Sequence, residues 1–169
     1  MHNVYCDMDG VLVDLMQGFR DINDGVCLSI LDAQGLGDAK WNPAIASPKF
    51  WEKLPRMPDA PELLDFFFEN VPDTKLHVLS APQHCFPDCG IEKMRWIDLY
   101  TNQVFRIQRV NIVKRKYKPH FALNEDGSPN ILIDDYDKNI REWNEAGGIG
   151  IHHTTSKLSI SELSQYYPV

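Results

Sequence analysis

The chain has 169 residues and a formal net charge of −7, a length that suits one domain with a sizeable core and a small insertion. No apolar run is long enough to cross a bilayer, and the acidic balance argues against a stable nucleic-acid partner. The opening "MHNVYCDMDG" has no basic segment leading into an apolar stretch, so no signal peptide and a cytoplasmic location are expected.

In chain order, a short apolar strand is predicted at 3–6, followed by a helix over 12–22. The next helix is predicted over 61–70, with Pro61 at its first position. A strand at 75–79 and a helix at 91–100 follow, then strands at 109–113 and 130–133. A helix at 137–146 stops at Gly147 and Gly148, and a strand at 148–152 and a helix at 160–166 complete the pattern. Short Val-, Ile- and Leu-rich strands alternating with helices predict an α/β fold. The expected architecture is a Rossmann-like core with a parallel sheet of about five strands flanked by helices.

One connection is too long for that pattern. A parallel crossover needs about a dozen residues or a little more, and the stretch from Asp14 to Lys75 far exceeds it. The surplus, residues 24–58, reads as a small helical cap inserted after the first strand. Residues 1–23 and 59–169 then form the core. The four cysteines, Cys6, Cys27, Cys85 and Cys89, lack the paired spacing of a zinc site and read as free thiols.

Ligands of open α/β sheets sit beyond the carboxyl ends of the strands. Asp7 and Asp9 follow the first strand, in "YCDMDGVLVD". Ser80 and Ala81 follow the second, a basic segment ending "KYKPHF" follows the third, and Asp134 and Asp135 follow the fourth in "ILIDDY". Converging carboxylates raise one another's pKa unless a cation neutralises them. A hard divalent ion such as Mg²⁺, which keeps sites for water and a phosphate, answers that need, with Asp7, Asp9 and Asp134 or Asp135 as ligands.

The expected chemistry is phosphoryl transfer. Asp7 is placed to attack phosphorus. Asp9 is placed to protonate the leaving oxygen and then to activate water. Ser80 and a lysine would hold phosphoryl oxygens. Lys114, Lys116 and Lys118 compete for the lysine role, and Arg106 and Arg109 of the same basic stretch read as a solvated edge. Gly10 allows a sharp turn that would aim backbone N–H groups at the phosphate. Asp14 reads as a helix cap. Trp41, Phe50 and Trp51 are candidates for stacking on a base, the alternative being the cap's own small core. On the helix at 91–100, Trp96 reads as core, and the roles of Glu92 and Lys93 stay open.

"DMDGVLVD", "LSAP", "KPHFA" and "ILIDDY" stand in the order of the four motifs of the haloacid dehalogenase-like phosphatases, which the chain resembles. "SAPQHCFPDCGIEKMRWID" is similar to the stretch after the second strand in 5'(3')-deoxyribonucleotidases, with Ser80, Pro82, Cys89, Gly90, Glu92, Lys93 and Trp96 in the matching order. The resemblance implies a helical cap, Mg²⁺ and removal of phosphate from deoxynucleoside monophosphates. It also selects Lys118, whose Lys-Pro pair resembles the third motif. A small-molecule phosphate ester is the expected partner, and a homodimer stays open. Departures are Leu15, where the animal enzymes carry an aromatic, and the inserted "NEDGSPN". The alternatives are a sugar or other small-metabolite phosphatase, a polynucleotide 3'-phosphatase, and a silent phosphate-binding regulatory module. A dehalogenase is disfavoured because it does not use a second aspartate as acid–base.

Overall fold

The computed structural model describes residues 2–100 and 109–168, and Arg106 of the basic stretch lies outside them. Its centre is a sheet of five parallel strands, β1 (Val4–Cys6), β2 (Leu76–Ser80), β3 (Arg109–Ile112), β4 (Ile131–Asp134) and β5 (Ile149–His152), in the order β3-β2-β1-β4-β5. Helices flank it: α1 (Leu15–Ile22), α4 (Ala60–Asn70), α5 (Cys89–Tyr100), α6 (Asp137–Glu145) and α7 (Ser156–Leu163). The expected α/β architecture is observed. Among the described residues no helix is long and apolar enough to cross a membrane, and the four cysteines are free.

The strand order follows from the chain's path. From β1 the chain winds outward to β2 and β3, then returns to lay β4 on the other side of β1. This reversal puts a crevice beyond the carboxyl ends of β1 and β4. The register pairs Cys6 with Val78 on one side and with Ile133 on the other. The residues that follow these three strands therefore lie side by side.

Local chemistry explains where the elements begin. Residues 7–13 form a tight turn in which the Met8 carbonyl accepts from the N–H groups of Val11, Leu12 and Val13. This delays α1 from the expected position 12 to Leu15, where Asp14 Oδ1 accepts from Gln17 N at 2.9 Å. Asp14 is thus the expected cap. Helix α7 starts four residues earlier than predicted because the Thr155 hydroxyl caps Leu158 N. Gly147, at φ +91°, ends α6 as expected.

Between α1 and α4 the chain forms two short helices, α2 (Leu28–Ala33) and α3 (Asn42–Ile45), and two 3₁₀ turns. Trp41, Phe50 and Trp51 of this segment pack with Phe19 of α1 and Phe86, with ring centroids 5.2–6.5 Å apart. Trp51 N donates to Glu92 at 3.0 Å and Trp96 Nε1 donates to the Leu54 carbonyl at 2.8 Å. The segment is thereby fastened to α5 and shares the main hydrophobic core.

The buried imidazole of His77 lacks hydrogen-bond partners. His77 stacks on Tyr5 at 4.7 Å, is buried, and has neither ring nitrogen bonded. Burial, helped by Arg109 and Lys75, lowers its pKa to about 4. An unsatisfied buried polar group costs about 1–3 kcal/mol. His77→Phe keeps the stack and removes the cost, so thermal unfolding is expected about 2–4 °C higher. The gain grows in acid. The depressed folded pKa means that stability from neutral His77 is complete above the unfolded value of 6.5 and is lost as pH falls toward about 4.

Candidate active site

A crevice of about 1140 Å³ opens at the reversal point, with Asp7, Asp9, Gly10, Ala81, Lys118 and Asp135 in its wall. Asp7 is held at the end of β1 by a bond from its N–H to the Ile133 carbonyl, 2.9 Å. Its Oδ2 lies 3.0 Å from Lys118 Nζ. The 3₁₀ turn of residues Arg115–Phe121 points Lys118 inward, so that the residue is only 2 % exposed and its ammonium also meets Asp134 Oδ2 at 2.7 Å. Burial pulls the Lys118 ammonium down, but Asp7 and Asp134 outweigh it and leave its pKa raised. Of the three competing lysines, Lys118 is the one joined to the carboxylates. Lys114 lines the crevice, and Lys116 lies over the Tyr117 ring at 4.9 Å.

The two neighbouring aspartates after β4 divide. Asp134 is fully buried, and both its oxygens are taken. Oδ1 accepts from Tyr136 N, Oδ2 accepts from Lys118, and Asn139 Nδ2 reaches both oxygens within 3.0 Å. Asp135 instead lays its carboxyl against the Cα of Gly10 in the crevice wall. One carboxylate oxygen from each of Asp7, Asp134 and Asp135 falls within 4.8 Å of the others. Burial, then the charges of Asp7, Asp134 and Asp9, pushes Asp135 up to about 7. Burial and Asp7 push Asp134 up to about 6 against the pull of Lys118.

Asp9 has a lysine of its own. Lys93, 1 % exposed on α5, donates to Asp9 Oδ2 at 2.5 Å, to Ser80 Oγ at 3.0 Å and to the Ala81 carbonyl at 2.9 Å. Burial raises the Asp9 pKa, and Lys93 opposes the rise. The Oδ1 atoms of Asp7 and Asp9 are buried with no hydrogen-bond partner. Orphaned buried oxygens beside an excess of negative charge are what a divalent cation satisfies. Among the described residues, two ammonium groups, Lys93 and Lys118, form ion pairs with these four carboxylates, and Asp135 has none.

One expectation is corrected, and one open alternative is decided. The Gly10 N–H donates to the Val13 carbonyl at 2.9 Å, so it is spent on the turn rather than aimed at a phosphate. Gly10 instead makes room: its φ is +77°, and a Cβ there would lie 2.0 Å from Asp135 Oδ2. Gly10→Ala is therefore expected to displace Asp135 and weaken divalent-cation binding about 10- to 100-fold by calorimetry. Trp41, Phe50 and Trp51 do not line the crevice; their large apolar rings are buried against one another. Leu15, Met16 and Met57 supply the crevice's apolar wall instead. Ser80 is buried with its hydroxyl on Lys93, and Ala81 is the residue of that pair in the wall.

Lys93 and Asn139 were not assigned roles from sequence. The signal for Lys93 is its place among the buried residues of α5, with Cys89, Trp96 and Ile97 at helical spacing. A lysine is almost never fully buried without a partner.

Among solved structures, a hydrolase from Streptococcus pneumoniae matches with a TM-score of 0.53 and 15 % identity over 98 % of this chain and 97 % of that one. A dehalogenase matches with a TM-score of 0.57 and 13 % identity over 100 % and 98 % of the two chains. This chain shares the fold of these two proteins. A hydrolase of the haloacid dehalogenase-like family from Streptococcus pneumoniae matches with a TM-score of 0.54 and 13 % identity over 95 % of this chain and 90 % of that one. No family model matches the chain, and no curated protein matches it. Within that shared fold, the carboxylates of Asp7 and Asp135 and the ammonium groups of Lys118 and Lys93 lie at the end of the sheet where the strand order reverses.

Proposed function

We propose that the protein is a Mg²⁺-dependent phosphomonoesterase that acts on deoxynucleoside monophosphates. The observation that carries the phosphatase reading is the pair Asp7 and Asp9, each with one oxygen on its own buried lysine and the other without a partner. In the proposed reaction a carboxylate oxygen of Asp7 attacks phosphorus. The bond from phosphorus to the ester oxygen breaks, and that oxygen takes a proton from the Asp9 carboxyl and leaves as an alcohol. Water then attacks the aspartyl phosphate and gives a proton to Asp9. The bond to Asp7 breaks, and inorganic phosphate leaves. The raised pKa of Asp9, caused by burial, suits a group that must hold a proton before giving it up.

The donor set fits Mg²⁺: hard carboxylate oxygens, close together and in charge excess. Asp7, the Asp9 backbone carbonyl and Asp135 would hold the ion, with Asp134 behind them orienting Lys118. When bound, it offsets charge on the phosphoryl group. The nucleotide part of the reading rests on the "SAPQHCFPDCGIEKMRWID" resemblance. It is supported by a crevice that combines an apolar wall of Leu15, Met16 and Met57 with Gln83 and Lys114.

The test is phosphate release from deoxynucleotides, ribonucleotides and sugar phosphates with Mg²⁺, and again after chelation. Deoxynucleotides are expected to lead, and chelation to abolish release. A clear lead for sugar phosphates sinks the nucleotide part and leaves the chemistry standing. No metal-dependent release from any ester sinks both.

Thermal unfolding with and without Mg²⁺ checks the cation independently of turnover. The raised folded pKa of Asp135 favours its protonated form, so the stability this provides is present at low pH and is lost as pH rises from the ordinary 3.8 through about 7. Above that, Asp135 is ionised and a cation stabilises most. At about 100 times its Kd, Mg²⁺ is expected to raise the midpoint by about 5–10 °C at about pH 8 and by less than half of that at about pH 5.

A further inference from the structure

We infer that Lys93 is a positioning residue for proton transfer: it holds the Asp9 carboxyl, with Ser80 and the Ala81 carbonyl, as one rigid unit facing the leaving group. This rests on the phosphatase reading and deepens it. Lys93 stands on α5, outside the strand-end set, and its ammonium meets Asp9 and Ser80 at the site.

An ammonium has three N–H donors and no acceptor. Those of Lys93 meet three acceptors within 3.0 Å: Asp9 Oδ2, Ser80 Oγ and the Ala81 carbonyl. The Trp51 ring lies 5.0 Å from the same nitrogen. The Trp51 backbone is itself fixed to α5 through Glu92. The donor capacity of Lys93 is thus full, and its nitrogen is set by two strands, a helix and the segment at residues 24–58. Because an ammonium accepts no hydrogen bond, a proton on Asp9 cannot lie along the Lys93 bond and is carried on the side away from it. Lys118 treats Asp7 in the same manner through Oδ2. Each aspartate is therefore aimed by a separate lysine.

Acting through Asp9 has a signature that general damage lacks. An alkyl phosphate needs its leaving oxygen protonated, whereas p-nitrophenolate departs without a proton. The constant kcat/KM covers steps through the first phosphoryl transfer, where only the alkyl ester draws on Asp9. In Lys93→Met, kcat/KM for a deoxynucleoside 5'-monophosphate, or for whichever alkyl phosphate the wild type prefers, is expected to fall about 10- to 100-fold. For p-nitrophenyl phosphate the fall is expected to be less than about threefold. Asp9→Asn should show the same selectivity.

Lys93→Met leaves a buried carboxylate without its partner and is at risk of instability. The Lys93→Met/Asp9→Asn double variant removes both charges and keeps the test open. It should lose no more on the alkyl ester than Asp9→Asn alone, because a residue that works through Asp9 has nothing left to position. Equal losses on both esters, or additive losses in the double variant, overturn this assignment while wild-type turnover keeps the phosphatase reading. A wild type inert toward every ester overturns that reading and this assignment with it.

Discussion

Asp7→Asn is expected to lower kcat by about 10⁴-fold or more while the protein stays folded. The side chains are nearly the same shape, but the amide is no nucleophile. Asp7 sits where β1 ends, with its N–H on the Ile133 carbonyl and its Oδ2 on Lys118. The substitution removes one charge from a cluster of four carboxylates and leaves Lys118 still paired with Asp134. Thermal unfolding should therefore show little loss, and acid-quenched wild type, but not the variant, should carry a phosphoryl mass. Unchanged turnover would remove Asp7 from the nucleophile's role.

Lys118→Met should have the largest effect on stability. It deletes the cation shared by Asp7 and Asp134, both buried. Breaking a buried pair by removing one partner costs about 3–5 kcal/mol. In metal-free urea titrations the deficit should be greatest near neutral pH and smaller in acid. Burial and the Asp7 charge already raise Asp134 to about 6, and without Lys118 only protonation relieves the repulsion. Loss of charge stabilisation at the transferring phosphoryl group should lower kcat by a further factor of about 10²–10³. Lys116→Met, on the same basic stretch but outside the carboxylate cluster, serves as the control, with a change within about 0.5 kcal/mol.

The contrast between Lys118 and Lys116 shows where local information ends. Both lie in "KRKYKPHF" with nearly the same neighbours. Only the 3₁₀ turn, seated beside β2 and α6, selects the one that points inward. The same limit applies to Asp134 and Asp135, adjacent acids after one strand. Asn139 and the Tyr136 N–H saturate the first, and Gly10, more than a hundred residues earlier in the chain, makes room for the second.

By itself the sequence determined the strands, the helices and the acids at the strand ends, because hydrophobic runs, caps and turn residues act over a few neighbours. Asp14 as a cap and Gly147 as a helix stop belong to that class. Tertiary structure alone decided partners. It turned Lys93 from an unassigned helix residue into the ligand of Asp9, and it buried Trp41, Phe50 and Trp51 in an aromatic cluster rather than over the crevice. The physical reason is that periodicity encodes which side of an element is buried, whereas the atom met there depends on the strand order β3-β2-β1-β4-β5.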